Sequence, residues 1–513
     1  MTDLLLDASA VAAVCGRDNG DASWRAVRKD LQHQNRRVWL YLGELGDFLE
    51  HLAEESAFVA TGDSEDQVTA AGHTLADLAR DCQWLAALAE DAHGLDDPDP
   101  MAAVLTRAAS RLGEDTQIIT ANPRRLSRGQ PFVDAASVLR QNVEASIGFI
   151  DLQAQQDRLR PQLESNLHRV LHHGRYVIGP EITELEAQLA GYVGVEHCIC
   201  VSSGTDALLI AMMALGIGPG DEVITSPFTF IATGEMITLL GAKPVYVDID
   251  PATFNIDADR IEAAVTDRTR IILPVSLYGQ CADMDTISAI ATRHELTVIE
   301  DAAQSFGATY KGRRSGALSD IACTSFFPAK PLGAYGDAGA CFTRDEKLAA
   351  TMRQVRDHGQ DRRYHHLRLG INGRMDTLQA AVLLAKMSIF DDELQKRQAV
   401  VVRYAEQLAG LEHQDRLVLP WVHPDNTSSW AQYTLRVSGR DALQTAMVGQ
   451  GIPTAVHYPM LLYDQPALVQ PGIDCAESDR AAREVISLPI HPYLEPVVQA
   501  RITAALKKVL ATD

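Results

Sequence analysis

From Val195 onward, short β-branched runs alternate with helix-forming stretches, and this alternation restricts the possible folds more than any other feature. The runs are "CICVSS", "DEVITS", "KPVYVDID", "RIILPVS", "LTVIED" and "IACTSFF"; between them lie "TDALLIAMMAL", "FIATGEMITLLG" and "MDTISAIATRHE". Strand–helix alternation of this kind predicts an α/β fold, a largely parallel sheet covered by helices. A long helix is expected from about Asp376 to Leu408. The last hundred residues, with "AQYTLRVSGRDALQTAMVGQGIPTAVHYP", read as a small α+β lobe.

In open parallel sheets, ligands collect beyond the carboxyl ends of the strands. Three such ends carry chemistry here. "VSSGTDAL" leaves a strand, turns on Gly204 and opens a helix at Thr205, so free backbone N–H groups and a hydroxyl form a phosphate cradle. "VIEDAAQS" puts Glu300 and Asp301 at a second strand end, where a carboxylate is either a helix cap or a functional acid. The third is "FFPAKPLGAYGDAGA", with Lys330 lying 29 residues after Asp301. Together they suggest pyridoxal 5'-phosphate: a lysine for the Schiff base, a carboxylate for the pyridine nitrogen and a helix terminus for the phosphate. An opposite charge about 4 Å away, at an effective dielectric of about 20, is worth roughly 4 kcal/mol, enough to keep that nitrogen protonated. Lys330 must lose its own proton to react, and an apolar pocket favours that.

At 513 residues the chain calls for two to four domains. No apolar run approaches the roughly 20 residues needed to cross a bilayer, and the start "MTDLLLDASAVAAV" is acidic, unlike a secretory signal. A cytoplasmic protein with no membrane partner is expected. Of eight cysteines only Cys198 and Cys200 lie close together, in a probable strand whose alternating faces are expected to separate them; reduced, buried thiols are the reading. The net charge of −22 argues against a large nucleic-acid surface. Residues 1–147 hold 13 Lys and Arg against 24 Asp and Glu, half of the net charge in under a third of the chain. A boundary is placed near Glu144 to Phe149. Before it "FVDAASVLRQNVEA" reads as a closing helix; after it "FIDLQAQQDRLRPQLESNLHRVLHHG" opens a strand and then a long amphipathic helix.

"SFFPAKPLGAYGDAGA", "EDAAQSFGA", "SSGTDAL", "PFTFIATG" and "GINGRMDTLQAA", in that set, resemble the DegT/StrS family of nucleotide-sugar aminotransferases, from Phe149 to the C-terminus. The resemblance implies the type I fold of pyridoxal-phosphate enzymes, with a large cofactor-binding domain over 148–410 and a small domain over 411–513. It implies that Lys330 binds the cofactor covalently and shuttles the proton, and that Asp301 pairs with the pyridine nitrogen. Gln304 is then expected by the phenolic oxygen, and Phe230 stacked on the ring rather than in the core. Gly204, Thr205 and Ser325 should hold the phosphate. Asn372 should reach it from a neighbouring subunit, which makes a homodimer or higher oligomer the expected state.

"PVSLYGQCADMDTI", "GIPTAVHYPMLLYDQPAL" and "ISLPIHPYLE" are similar to the branch that aminates UDP-2-acetamido-2-deoxy-3-oxo-D-glucuronate, with L-glutamate as donor, toward bacterial surface polysaccharides. Substrate contacts then fall on Gly174 and Tyr176, on Arg374 from the partner chain, and on His457 and Tyr458. An arginine fork suits a uronate carboxylate because it binds two oxygens at once. One departure stands out: Ala329 replaces the serine that usually precedes the lysine.

Residues 1–147 resemble a PIN domain, a nuclease fold in which clustered carboxylates bind Mg²⁺ or Mn²⁺. The candidates are Asp7, Glu44 and Asp99, while Asn122 stands where a further acid is common. Arg124, Arg125 and Arg128 form a small basic patch for nucleic acid. A degenerate module used for docking is the preferred reading, and a metal-dependent ribonuclease with the rest as scaffold is the alternative. A dehydratase on the same fold is a further rival, but that route typically lacks the lysine.

Overall fold

The structure is a computed structural model. It describes residues 147–411 and 417–512 and, before them, four short strands. The chain divides into two compact units, Met1–Ser146 and Ile147–Asp513.

In the first unit, β1 (Leu4–Asp7), β2 (Val38–Tyr41), β3 (Gln117–Thr120) and β4 (Phe132–Asp134) form one parallel sheet in the order β2-β1-β3-β4. Phe132–Asp134, expected to begin a closing helix, is therefore a strand. Phe132 and Val133 suit an extended chain, and pairing to β3 decides the matter. Asp7 closes β1; its side chain, Glu44, Asp99 and Asn122 lie outside the described residues.

The second unit opens directly on a helix, α1 (Leu152–His173), where a strand had been expected first: the Asp151 carboxylate accepts from the Ala154 N–H at 2.9 Å and starts the helix early. After α2 (Pro180–Val193) the alternation takes over: β5 (His197–Val201), α3 (Gly204–Ala214), β6 (Glu222–Thr225), α4 (Ile231–Leu239), β7 (Lys243–Tyr246), β8 (Thr269–Leu273), α5 (Met284–Arg293), β9 (Thr297–Asp301), β10 (Ile321–Ser325), β11 (Gly339–Thr343) and α6 (Glu346–Arg356). The seven-stranded sheet runs β5-β11-β10-β9-β8-β6-β7, with β11 antiparallel to both neighbours. Helices cover both faces. Ile199 and Val201 join the core beneath α3, α4 and α6, whereas Cys198 and Cys200 join the one beneath α2. The two cysteines thus share a face, against expectation, because a strand repeats every two residues; both are free, buried thiols.

The expected helix from Asp376 to Leu408 is two, α7 (Thr377–Met387) and α8 (Phe390–Leu408). Ser388 turns its hydroxyl onto the Ala385 carbonyl at 2.7 Å, and Asp391, Asp392 and Glu393 favour a new N-terminus just beyond. The C-terminal lobe is an antiparallel sheet, β12 (Leu417–Val418), β13 (Tyr433–Val437) and β14 (Val485–Leu488), packed with α9 (Arg440–Gly449), α10 (Ala476–Glu484) and α11 (Pro496–Thr512). Its core takes in Val400, Tyr404 and Leu408, so α8 belongs to both lobes; Tyr404 stacks on Tyr433 at 4.7 Å. Asp248, beyond β7, accepts from the Glu477 and Ser478 N–H groups at 3.0 and 2.8 Å and so caps α10 across 230 residues of chain.

Lys386 on α7 is 1% exposed, and its amine has no hydrogen-bond partner among the described residues. It stands 4.1 Å from the centre of the Tyr335 ring, and burial lowers its pKa to about 8 against the pull of Glu393. An unfolded lysine holds its proton to about 10.5, so folding carries a penalty of about 3 kcal/mol below pH 8 that fades as the pH rises to 10.5. Stability should therefore increase across pH 8–10.5. Lys386→Met should stabilise the unit by about 1–2 kcal/mol at pH 7, once the lost cation–π contact is deducted, and flatten that pH dependence. Thermal melts at pH 7, 9 and 10.5 check both; a destabilised variant refutes them.

Candidate active site

The site is built on the exits of β9, β10 and β5, with the antiparallel β11 lying between the last two. β9 ends at Asp301, which is buried and locked to the exit of β8: its N–H donates to the Pro274 carbonyl at 2.9 Å, and its carbonyl accepts from Ser276 at 3.0 Å. One carboxylate oxygen accepts from the Thr233 hydroxyl at 3.0 Å and the other from the Ala303 N–H at 3.2 Å. Burial pushes this carboxyl above its ordinary pKa, against Ala303, Thr233 and the Lys330 charge. Two neutral donors satisfy its shape but not its charge, so the carboxylate fits a cationic N–H.

Lys330 lies in the loop from β10 to β11. The loop is closed by the Lys330 N–H on the Phe327 carbonyl at 2.8 Å and the Ala334 N–H on the Phe326 carbonyl at 2.7 Å. The residue is partly buried; burial lowers the pKa of its amine, and the Asp301 charge opposes the shift. The amine is thus in electrostatic reach of Asp301 and of His457, whose own pKa falls to about 4 through burial and then through Lys330. His457 is neutral at pH 7 as a result.

At the third exit, β5 leads into α3. The Ser203 hydroxyl accepts from the Asp206 N–H at 3.0 Å and starts the helix at Gly204. A β-carbon at Gly204 would lie 2.6 Å from that of Ser325, at the end of β10, so glycine alone allows this approach. The N-terminus of α3, which opens on Gly204 and Thr205, is thereby brought against Ser325, and free N–H groups beside hydroxyls suit a phosphate dianion.

Gln304 and Tyr458 pair with each other, and Tyr458 lies within electrostatic reach of Asp301. The Gln304 amide N–H donates to the Tyr458 hydroxyl at 3.1 Å, its oxygen accepts from the Tyr278 N–H at 2.8 Å, and its carbonyl accepts from Ser429 at 2.9 Å. Phe230 is 52% exposed at the start of α4, its ring 6.0 Å from that of Tyr458, which excludes the core role for it. These residues fit pyridoxal phosphate: a helix N-terminus that glycine lets approach Ser325, a buried carboxylate short of a cation, an amine whose pKa burial lowers and an exposed ring.

The remaining predicted residues form a second group. Tyr176 and Gly174 follow α1, and the Tyr176 carbonyl accepts from the Thr377 N–H at 2.9 Å. Asn372, exposed, and Arg374 lie on the facing segment, whose Gly373 carbonyl accepts from Ser202 at 2.9 Å beside the cradle. The Arg374 guanidinium is paired with Asp357. Sequence reasoning missed Thr233, Tyr278 and Asp357. Thr233 was within reach, because it follows Phe230 by one helical turn in "PFTFIATG"; Tyr278 and Asp357 carry no local signal. No cluster of metal-ligating side chains occurs among the described residues.

Residues 157–507 match the DegT/DnrJ/EryC1/StrS aminotransferase family. Over 360 residues the chain is 55% identical to the UDP-2-acetamido-2-deoxy-3-oxo-D-glucuronate aminotransferase of Pseudomonas aeruginosa, covering 70% of this chain and 99% of that protein. It is 40% identical over 366 residues to a UDP-N-acetyl-3-dehydro-alpha-D-glucosamine 3-aminotransferase of Acidithiobacillus ferrooxidans, covering 71% and 98%. Among solved structures, an aminotransferase from Brucella abortus superposes with a TM-score of 0.68 at 41% identity, covering 71% and 99%. NtdA from Bacillus subtilis, with bound cofactor PMP, does so at 0.67 and 32%, covering 75% and 94%. The sequence motifs, the three-exit site and these matches agree, and the chain belongs to the DegT/DnrJ/EryC1/StrS aminotransferase family.

Proposed function

We propose that the chain transfers the amino group of L-glutamate to a UDP-linked 3-keto sugar, UDP-2-acetamido-2-deoxy-3-oxo-D-glucuronate, using pyridoxal phosphate in ping-pong order. The observation that carries the reading is the Lys330 amine within electrostatic reach of the buried Asp301 carboxylate, with Gly204 and Ser325 in close approach at the ends of β5 and β10. The substrate is supported by the 55% identity to the Pseudomonas aeruginosa enzyme of that name.

When bound, the cofactor supplies an electron sink for the carbon that loses or gains a proton. The chain does the rest. Asp301 would pair with the sink's ring nitrogen and keep it charged, and Thr233 and Ala303 fix the carboxylate by donating to its two oxygens. The Lys330 amine, depressed by burial, takes and returns the proton. Gln304 and Tyr458 fix the floor beside it, and neutral His457 adds no competing charge next to the amine. Arg374 is the group for a uronate carboxylate, with Gly174 and Tyr176 on the adjoining segment.

A homodimer is part of the proposal, with Asn372 and Arg374 reaching the neighbouring site. Tyr176, Val177, Phe327, Tyr364, Leu367 and Leu369 are between 48% and 88% exposed, an apolar content that a subunit contact would bury. The first unit is proposed as a PIN-like docking module; RNA cleavage requiring Mg²⁺ or Mn²⁺ and lost in Asp7→Asn would make it a nuclease instead. A cytoplasmic location agrees with the absence of a membrane-spanning helix among the described residues.

Incubating the purified chain with L-glutamate and a panel of UDP-keto sugars, followed by mass spectrometry, tests the assignment. The 3-oxo-glucuronate should gain an amine in place of its keto oxygen. If only sugars lacking the carboxylate react, the substrate is wrong while the reaction class stands.

A further inference from the structure

The segment Tyr176-Val177-Ile178 is unusual. All three side chains are exposed, at 48, 54 and 38%, and Ile178 holds φ at +49°, a left-handed conformation that a β-branched residue rarely adopts. Something must hold such a segment in place. At its far end, Thr377 does so: its hydroxyl accepts from the Gly179 N–H at 3.0 Å and its N–H donates to the Tyr176 carbonyl.

At the near end the holder is His173, the last residue of α1. Gly174 follows at φ +65°, as a left-handed helix terminus needs, and turns the chain back over the ring. His173 Nδ1 then accepts from the Arg175 N–H at 3.0 Å, while Nε2 faces both carboxylate oxygens of Glu181 at 3.1 and 3.2 Å. Glu181 is 1% exposed at the start of α2 and is also bound by Arg169 at 2.8 Å. Burial pushes the Glu181 carboxyl up, but its own N–H, His173 and Arg169 together hold it below the usual range, so it is an acceptor. One tautomer satisfies every contact: hydrogen on Nε2, lone pair on Nδ1. A single ring thus ties the end of α1 to the start of α2 and fixes Arg175, the second residue of the loop between them.

We propose that His173 is a positioning residue for the sugar-nucleotide half of the reaction, holding the strained Tyr176–Ile178 segment in the form that receives the substrate. The inference rests on the reading of Gly174 and Tyr176 as substrate contacts. It predicts a split between half-reactions, because the reading places the sugar nucleotide, and not glutamate, on that segment.

The test compares His173→Phe, which keeps a ring without nitrogens, His173→Asn, which keeps an acceptor for Arg175, and Tyr176→Ala. In His173→Phe, the KM for UDP-2-acetamido-2-deoxy-3-oxo-D-glucuronate should rise about tenfold, as expected for the loss of a positioning hydrogen bond. The dissociation constant of the unreactive 3-hydroxy analogue should rise with it. Bleaching of the visible cofactor band by L-glutamate should stay within about twofold of wild type. His173→Asn should recover part of the affinity. A sugar KM in His173→Phe within twofold of wild type, while Tyr176→Ala raises it, overturns the role of His173 alone. An unchanged KM in Tyr176→Ala overturns the underlying reading, and this inference with it. A parallel fall of both half-reactions, or His173→Asn behaving as His173→Phe does, shows a merely structural ring and also overturns the proposal.

Discussion

Lys330→Ala is expected to abolish transamination, with turnover falling by about 10³-fold or more, because it removes the amine that moves the proton. The loop that carries it is closed by backbone bonds, from Lys330 to Phe327 and from Ala334 to Phe326, so the fold survives the change. The alanine variant also loses a partly buried amine whose charge burial disfavours, and its melting temperature should therefore not drop. Activity and stability measured on the same preparation separate the two effects. A variant that keeps more than a tenth of wild-type turnover refutes the assignment.

Asp301→Asn is expected to be nearly as severe. The amide keeps the size of the carboxylate and can still accept from the Ala303 N–H, and the Thr233 hydroxyl can turn to accept from the new NH₂. Only the charge is lost. With about 4 kcal/mol of charge pairing at stake, turnover should fall by about 10³-fold. The folded chain should be no less stable, since burial already disfavours the ionised carboxyl. Steady-state kinetics with glutamate, set beside a thermal melt, checks this; turnover within tenfold of wild type would mean that the carboxylate serves only as a cap.

Both residues could be read from the chain because they lie at strand exits, and strand exits follow from local pattern. The six runs quoted from β5 to β10 each became a strand. The seventh, β11, did not announce itself: "GACFT" follows a glycine-rich turn and is too short to show a period, and only pairing to β10 and β5 on either side makes it a strand. The break between α7 and α8 was hidden for a similar reason, since the apolar spacing continues through Ser388 and Ile389 while the backbone does not. Asp357 beside Arg374, and Thr233 beneath Asp301, depend on segments 17 and 68 residues apart meeting in space. His173 is, in sequence, one of two adjacent histidines ending a helix. Its work shows only when Glu181 and Arg175 are placed on opposite sides of the ring.

The most direct measurement is to reduce the purified, cofactor-loaded chain with borohydride, digest it and map the peptide that carries the cofactor by mass. The account predicts one phosphopyridoxyl group, on Lys330 of "FFPAKPLGAYG". A label on any other lysine, or a chain that takes up no cofactor, would contradict it.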